Sequence, residues 1–142
     1  MKRITLLLIG LFLLAPTPAF TRETAPAQLP DTPVARVMEA YLRAFNTGSV
    51  TALEEFHARH DARAERPDFH DPEMREKLMM MMKGMGELKV HRVMHATTLS
   101  LTAIIGASKG HWLAINCEVR EDARDKMTVF RVDRVPAPQG EK

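Results

Sequence analysis

Five methionines fall within seven residues in the stretch KLMMMMKGMGELKV: Met79 to Met82, then Met85. Thioether sulfur is a soft donor suited to copper(I), provided that two or three such atoms, often with an imidazole, meet at one point. Histidine offers the other route to a metal. His57 and His60 stand three apart, a spacing that can chelate zinc on a helix when an acidic partner approaches. His91 and His95 would form a comparable pair on a helix, but on a strand they lie about 13 Å apart and share no ion. The single cysteine, Cys117, sits among apolar strand-forming residues and reads as a buried, inert thiol. The sequence holds no Gly-x-Ser-x-Gly elbow, phosphate-binding glycine loop, Cys-x-x-Cys or His-Glu-x-x-His pattern. Glu54-Glu55 and Glu121-Asp122 lie in charged surroundings and read as solvated surface. Asp133 lies among apolar residues, with Arg131 and Arg134 at hand as partners.

Whether the methionines converge depends on the element that carries them. Asp71-Pro72 is a helix opening, an N-cap followed by proline at the first helical position, and Gly84 and Gly86 close the segment. Each helical residue turns the chain by about 100°. Met74, Leu78, Met81, Met82 and Met85 then share an arc about 100° wide, the width of a core-facing stripe. Met79 and Met80 fall outside it. Adjacent methionines therefore point apart, and adaptable core filling is the expected role. A copper or zinc site using Met81, Met85 and a histidine is kept as an alternative, although no metal is expected. Met82, at the edge of the arc, either packs or lines a pocket.

Two further helices precede this one. Val34, Val37, Met38, Tyr41 and Phe45 recur at helical spacing over Pro33–Asn46, with Asp31 or Thr32 as cap and Gly48 beyond the end. Ser49 caps a second helix whose stripe is Val50, Leu53, Phe56 and His60, with His57 beside it. Residues 61–70 are charged, broken by Pro67, and read as a connector. After Gly86 the period changes to that of strands, expected at about 87–95, 98–106, 111–120 and 126–135. Three helices followed by an antiparallel meander predict an α+β fold with the helices on one sheet face. In the third strand Leu113, Ile115, Cys117 and Val119 form the packed face. Trp112 and Asn116 then face outward, where Trp112 suits a homodimer contact through the sheet. In the opposite phase Trp112 and Asn116 face a pocket.

The amino terminus has a different character. Lys2 and Arg3 precede an apolar run from Ile4 to Leu14, followed by small residues and prolines, the layout of an export signal cut after Ala19. The run is too short for a spanning helix, and no cysteine follows it for lipidation. Residues 20–32 read as a flexible lead-in, 33–136 as the single folded domain and 137–142 as a disordered tail. Of the 20 Lys and Arg, two lie in the signal, leaving 18 against 18 Asp and Glu. A neutral mature chain without a basic stripe carries no footprint for nucleic acid.

The stretch VARVMEAYLRAFNTGSVTALEEFHARH resembles the opening of nuclear-transport-factor-2-like domains, a superfamily of cystatin-like fold that includes ketosteroid isomerases and SnoaL-like polyketide cyclases. The later order is similar too: a third helix ending near Gly86-Glu-Leu88, then strands closing on VFRVDRVPAP. The closest likeness is to exported versions found ahead of serine hydrolase domains. The resemblance implies a cone in which a curved four-stranded sheet wraps three helices and leaves an apolar pocket at the open end. It also implies a role for Tyr41, since ketosteroid isomerases place a first-helix tyrosine and two acids in that pocket; the acids find no match here. The expected function is therefore an exported, non-catalytic domain, without cofactor, that binds a small apolar ligand or a partner protein. An isomerase- or cyclase-type enzyme with Tyr41 in an apolar pocket is the alternative. Tyr41, Phe45, Phe56, Met82, Trp112 and Asn116 are the pocket candidates.

Overall fold

The structure, a computed structural model, describes residues 27–139; the expected export signal lies outside the described residues. Three helices, α1 (Pro33–Asn46), α2 (Val50–His60) and α3 (Pro72–Met85), precede four strands. These are β1 (Leu88–Ala96), β2 (Ser100–Ala107), β3 (Trp112–Val119) and β4 (Met127–Arg134). The strands pair in sequence order, all antiparallel, so the fold is an α+β arrangement of three helices on a four-stranded open meander. Irregularities between Val90 and Arg92, and between Val93 and His95, interrupt the register of β1; such bulges bend a strand and increase its twist.

Local chemistry sets the helix ends. The side chains of Thr32, Ser49 and Asp71 accept hydrogen bonds from Ala35, Ala52 and Glu73 backbone N–H groups, satisfying donors that the first helical turn leaves unpaired. Asp31 instead pairs with Arg36 at 2.8 Å. Gly84 lies inside the last turn of α3, and Gly86 alone ends it, at φ 72° and ψ −152°. That conformation is essentially reserved for glycine, and a Cβ on Gly86 would stand 2.2 Å from Ser108 Oγ. The same hydroxyl accepts from Glu87 N at 2.9 Å, docking the α3–β1 hinge on the β2–β3 turn. Gly86→Ala is expected to cost about 3 kcal/mol by the backbone strain alone, measured as a shift in the chemical denaturation midpoint at unchanged slope.

The core lies between the helices and the alternating face of the sheet. Leu101, Ala103, Ile105 and Ala107 of β2 and Leu113, Ile115, Cys117 and Val119 of β3 are buried on that face, against Val34, Val37, Met38 and Tyr41 of α1. Burial pushes the Cys117 thiol up to about 12, which leaves it protonated and inert. Asn46 fastens α1 to the sheet: its amide donates to Leu88 O at 2.9 Å and accepts from Leu88 N at 2.8 Å.

The third helix departs from its expected stripe. Met82 and Met85 are buried, whereas Met81 is 37% exposed and Met74 and Leu78 only partly covered. Few contacts join α3 to the sheet, so the wide apolar arc is split between the core and an open side. Met79 and Met80 face solvent.

Candidate functional site

The open side of α3 is one wall of a cavity of about 420 Å³. Met74, Leu78 and Met81 form that wall, and Leu53 of α2 and Phe130 of β4 add further apolar surface. Tyr41 reaches it from α1, and Arg63, Glu65, Arg66 and Pro67 of the connector close its rim. A second cavity of about 290 Å³ lies behind the connector, bounded by Glu54, Ala58, Phe69 and His70. His57 lines both.

Charge is organised around one buried carboxylate. Asp61, the residue that ends α2, has no side-chain exposure. Its Oδ2 lies 2.8 Å from His57 Nδ1 and accepts from an Arg63 terminal nitrogen at 2.6 Å. Its Oδ1 accepts from Arg63 Nε at 2.8 Å and from Arg63 backbone N at 3.0 Å. Arg63 also donates to Phe130 O at 2.8 Å, tying the group to β4. The chain places Asp61 here because Ala62 N donates to Met127 O at 3.0 Å, a bridge that brings the start of the connector beside β4. Lys126 bonded to Arg59 O, and His60 to Asp125 O, hold the end of α2 against the turn that leads into β4.

Burial by itself would raise the Asp61 pKa; hydrogen bonds from Arg63 and His57 outweigh it and hold the carboxyl at about 2. Burial lowers the His57 pKa, and the Asp61 hydrogen bond and charge only partly offset that. The charges of Arg63 and Arg66 lower it further. At neutral pH the pair is thus carboxylate and neutral imidazole. A carboxylate only accepts, so the His57 proton must sit on Nδ1.

A pH dependence of stability follows. Both groups have folded pKa values below their ordinary ones, 6.5 for His57 and 3.8 for Asp61. Each therefore contributes stability that is full above the ordinary value and lost as pH falls below it. Unfolding free energy is expected to decline first below about pH 6.5, as His57 in the unfolded chain takes up a proton, and again between about pH 4 and pH 2. Urea titrations at about pH 8 and about pH 5.5 read the first step, and His57→Gln should flatten it.

Around this group stands an aromatic cluster. Tyr41 packs on Phe130, Phe56 and Phe45 at centroid distances of 4.6, 5.5 and 6.0 Å. The His57 ring meets Phe56 at 5.2 Å and Phe69 at 5.5 Å. Burial pushes the Tyr41 phenol pKa up, so it remains a hydrogen-bond donor. No described residue hydrogen-bonds its hydroxyl.

The expected site residues divide. Tyr41 lines the cavity of about 420 Å³. Phe45 and Met82 are closed into the core. Phe56 backs Tyr41 and lines a shallow groove between α1 and α2 instead. Trp112 and Asn116 lie on the outer sheet face, half-buried and away from the cavity, so the pocket-facing phase is corrected. There Trp112 covers Gly106 and meets the His91 ring at 5.0 Å, and Asn116 Oδ1 is buried without a hydrogen bond among the described residues. On α2 the stripe is also corrected: His57 is buried and His60 is only partly covered. Met81 stands at the cavity and Met85 in the core, and among the described residues no three of His, Cys, Asp and Glu group to hold a metal ion. No helix of the described residues is long and apolar enough to cross a membrane.

Sequence reading missed Asp61, Arg63 and the cavity-facing role of His57. The available signal was the four-residue spacing of His57 and Asp61, which a helix converts into contact. Comparison of the chain with family models, with curated proteins and with solved structures gives no match.

Proposed function

We propose that this chain is an exported, nuclear-transport-factor-2-like domain that binds a small, largely apolar ligand in the cavity beside Tyr41, without chemistry of its own. The observation that carries the reading is the cavity's composition. Methionine, leucine and phenylalanine walls flank Tyr41 and His57, with Arg63, Glu65 and Arg66 at the open rim, a mixture of apolar wall and a few polar groups typical of small-molecule sites. The order of elements supports the superfamily reading, as three helices lie on a bulged antiparallel meander. The buried acid supports binding over catalysis: Asp61 is saturated by Arg63 and His57 and cannot serve as a free base. Glu65, the carboxylate on the cavity rim, is exposed.

Saturable fluorescence enhancement of Nile red is the expected result for the wild-type chain. Leu78→Trp, which fills the wall, should abolish it while leaving the fold intact by circular dichroism. Native mass spectrometry of protein isolated from its own cell envelope should retain a small molecule, and it also reads pairing through the outer sheet face. A bare chain that fails to take up the dye overturns the proposal.

A second reading, an isomerase- or cyclase-type site, is favoured by one observation: Tyr41 and His57 line the same cavity. A phenol can polarise a carbonyl while an imidazole takes the adjacent proton. Exchange of α-deuterium from an apolar ketone, lost in both Tyr41→Phe and His57→Gln, would decide for it.

A further inference from the structure

We propose that His57, held by Asp61, is a fixed hydrogen-bond acceptor for the ligand, and that the cavity therefore selects apolar molecules bearing a neutral hydroxyl, such as phenols and alcohols. The inference rests on the pocket reading above and adds the chemical class of ligand. Three observations carry it. Nδ1 of His57 is committed to Asp61 at 2.8 Å, which leaves Nε2 as the ring nitrogen available to the cavities that His57 lines. Asp61 is itself immobilised through both oxygens by Arg63, so the ring cannot exchange its partner without breaking a buried ion pair. The ring is wedged between Phe56 and Phe69, which fixes its plane.

With the proton on Nδ1, Nε2 presents a lone pair. A ligand hydroxyl donating to it makes a full hydrogen bond in partly desolvated surroundings. An ether or a methyl group at that position leaves the nitrogen unpaired, and a site built around a polar contact rejects the analogue that lacks it. Tyr41 adds a donor at the same cavity. A ligand hydroxyl can donate to His57 Nε2, whereas an ether oxygen can only accept and so serves Tyr41 alone.

The test compares three probes of one size class on the wild-type protein: β-naphthol, its methyl ether, and β-methylnaphthalene, with binding measured by calorimetry. β-Naphthol is expected to bind about tenfold tighter than either analogue, the size of one net hydrogen bond. Nitrogen NMR of the His57 ring should then show Nε2 unprotonated in the free protein and shifted toward a hydrogen-bonded value with β-naphthol. Asp61→Asn offers an amide that donates to Nδ1 and moves the proton to Nε2; the preference should shift to the methyl ether. If that variant does not fold, the wild-type probe series and the NMR decide alone. Equal affinities for the three probes, or a proton on Nε2 in the free wild-type protein, overturn the inference and leave the pocket reading standing. Failure of every probe to bind overturns both.

Discussion

Asp61→Ala is expected to destabilise the chain by about 3 kcal/mol or more, the cost of removing one partner from a buried ion pair. The loss exceeds that of a surface salt bridge because three groups are stranded together. Arg63 would keep its guanidinium only partly exposed, with Phe130 O as remaining side-chain partner. His57 would keep a buried Nδ1 without an acceptor, and the Arg63 backbone N–H would lose its partner. Surface pairs such as Arg43 with Glu39 provide the contrast, since both side chains are largely exposed and removal of either should cost well under 1 kcal/mol. Chemical denaturation near neutral pH measures the difference. A loss no larger than that of Glu39→Ala would mean that Asp61 is solvated and does not anchor the connector. The Arg63→Ala, Asp61→Ala double variant should fall short of the sum of the singles, because the two residues share one interaction.

The second large effect is expected from Phe56→Ala, at about 4 kcal/mol, within the range for deleting a buried aromatic ring. Phe56 is 5% exposed and touches the rings of Tyr41, His57, His60 and Phe130. Its removal opens a hole where α1, α2 and β4 meet, beneath Tyr41 and His57. The transition should broaden or shift to low denaturant, since whole domains are stable by only about 5–15 kcal/mol. Phe56→Leu should recover much of the stability by refilling volume. If Phe56→Leu folds but loses dye uptake, the ring positions Tyr41 and His57; retained uptake would restrict Phe56 to packing.

Much of the scaffold was legible because it is local. Caps at Thr32, Ser49 and Asp71, the glycine at the α3–β1 hinge and the period-two alternation of Leu113, Ile115, Cys117 and Val119 follow from backbone hydrogen bonding and side-chain geometry within a few residues. Those signals are sufficient for an α+β layout with three helices and four strands. Reading the histidines was harder. Hydropathy placed His60 on the stripe and His57 beside it, because a periodic pattern assigns a face without knowing what lies opposite. The partner opposite is Asp61, and it looked like the first residue of a charged connector.

By itself, then, the sequence determined the elements, their order and the apolar face of β3. Only the tertiary structure decided the site. The bridge from Ala62 to Met127 folds the connector back against β4 and buries Asp61 beside His57. The light packing of α3 leaves Met81 and Leu78 on a cavity wall while Met82 enters the core. Both outcomes rest on contacts between residues distant in the chain. Their energies depend on which groups lose water together, a quantity no local pattern of residue types records.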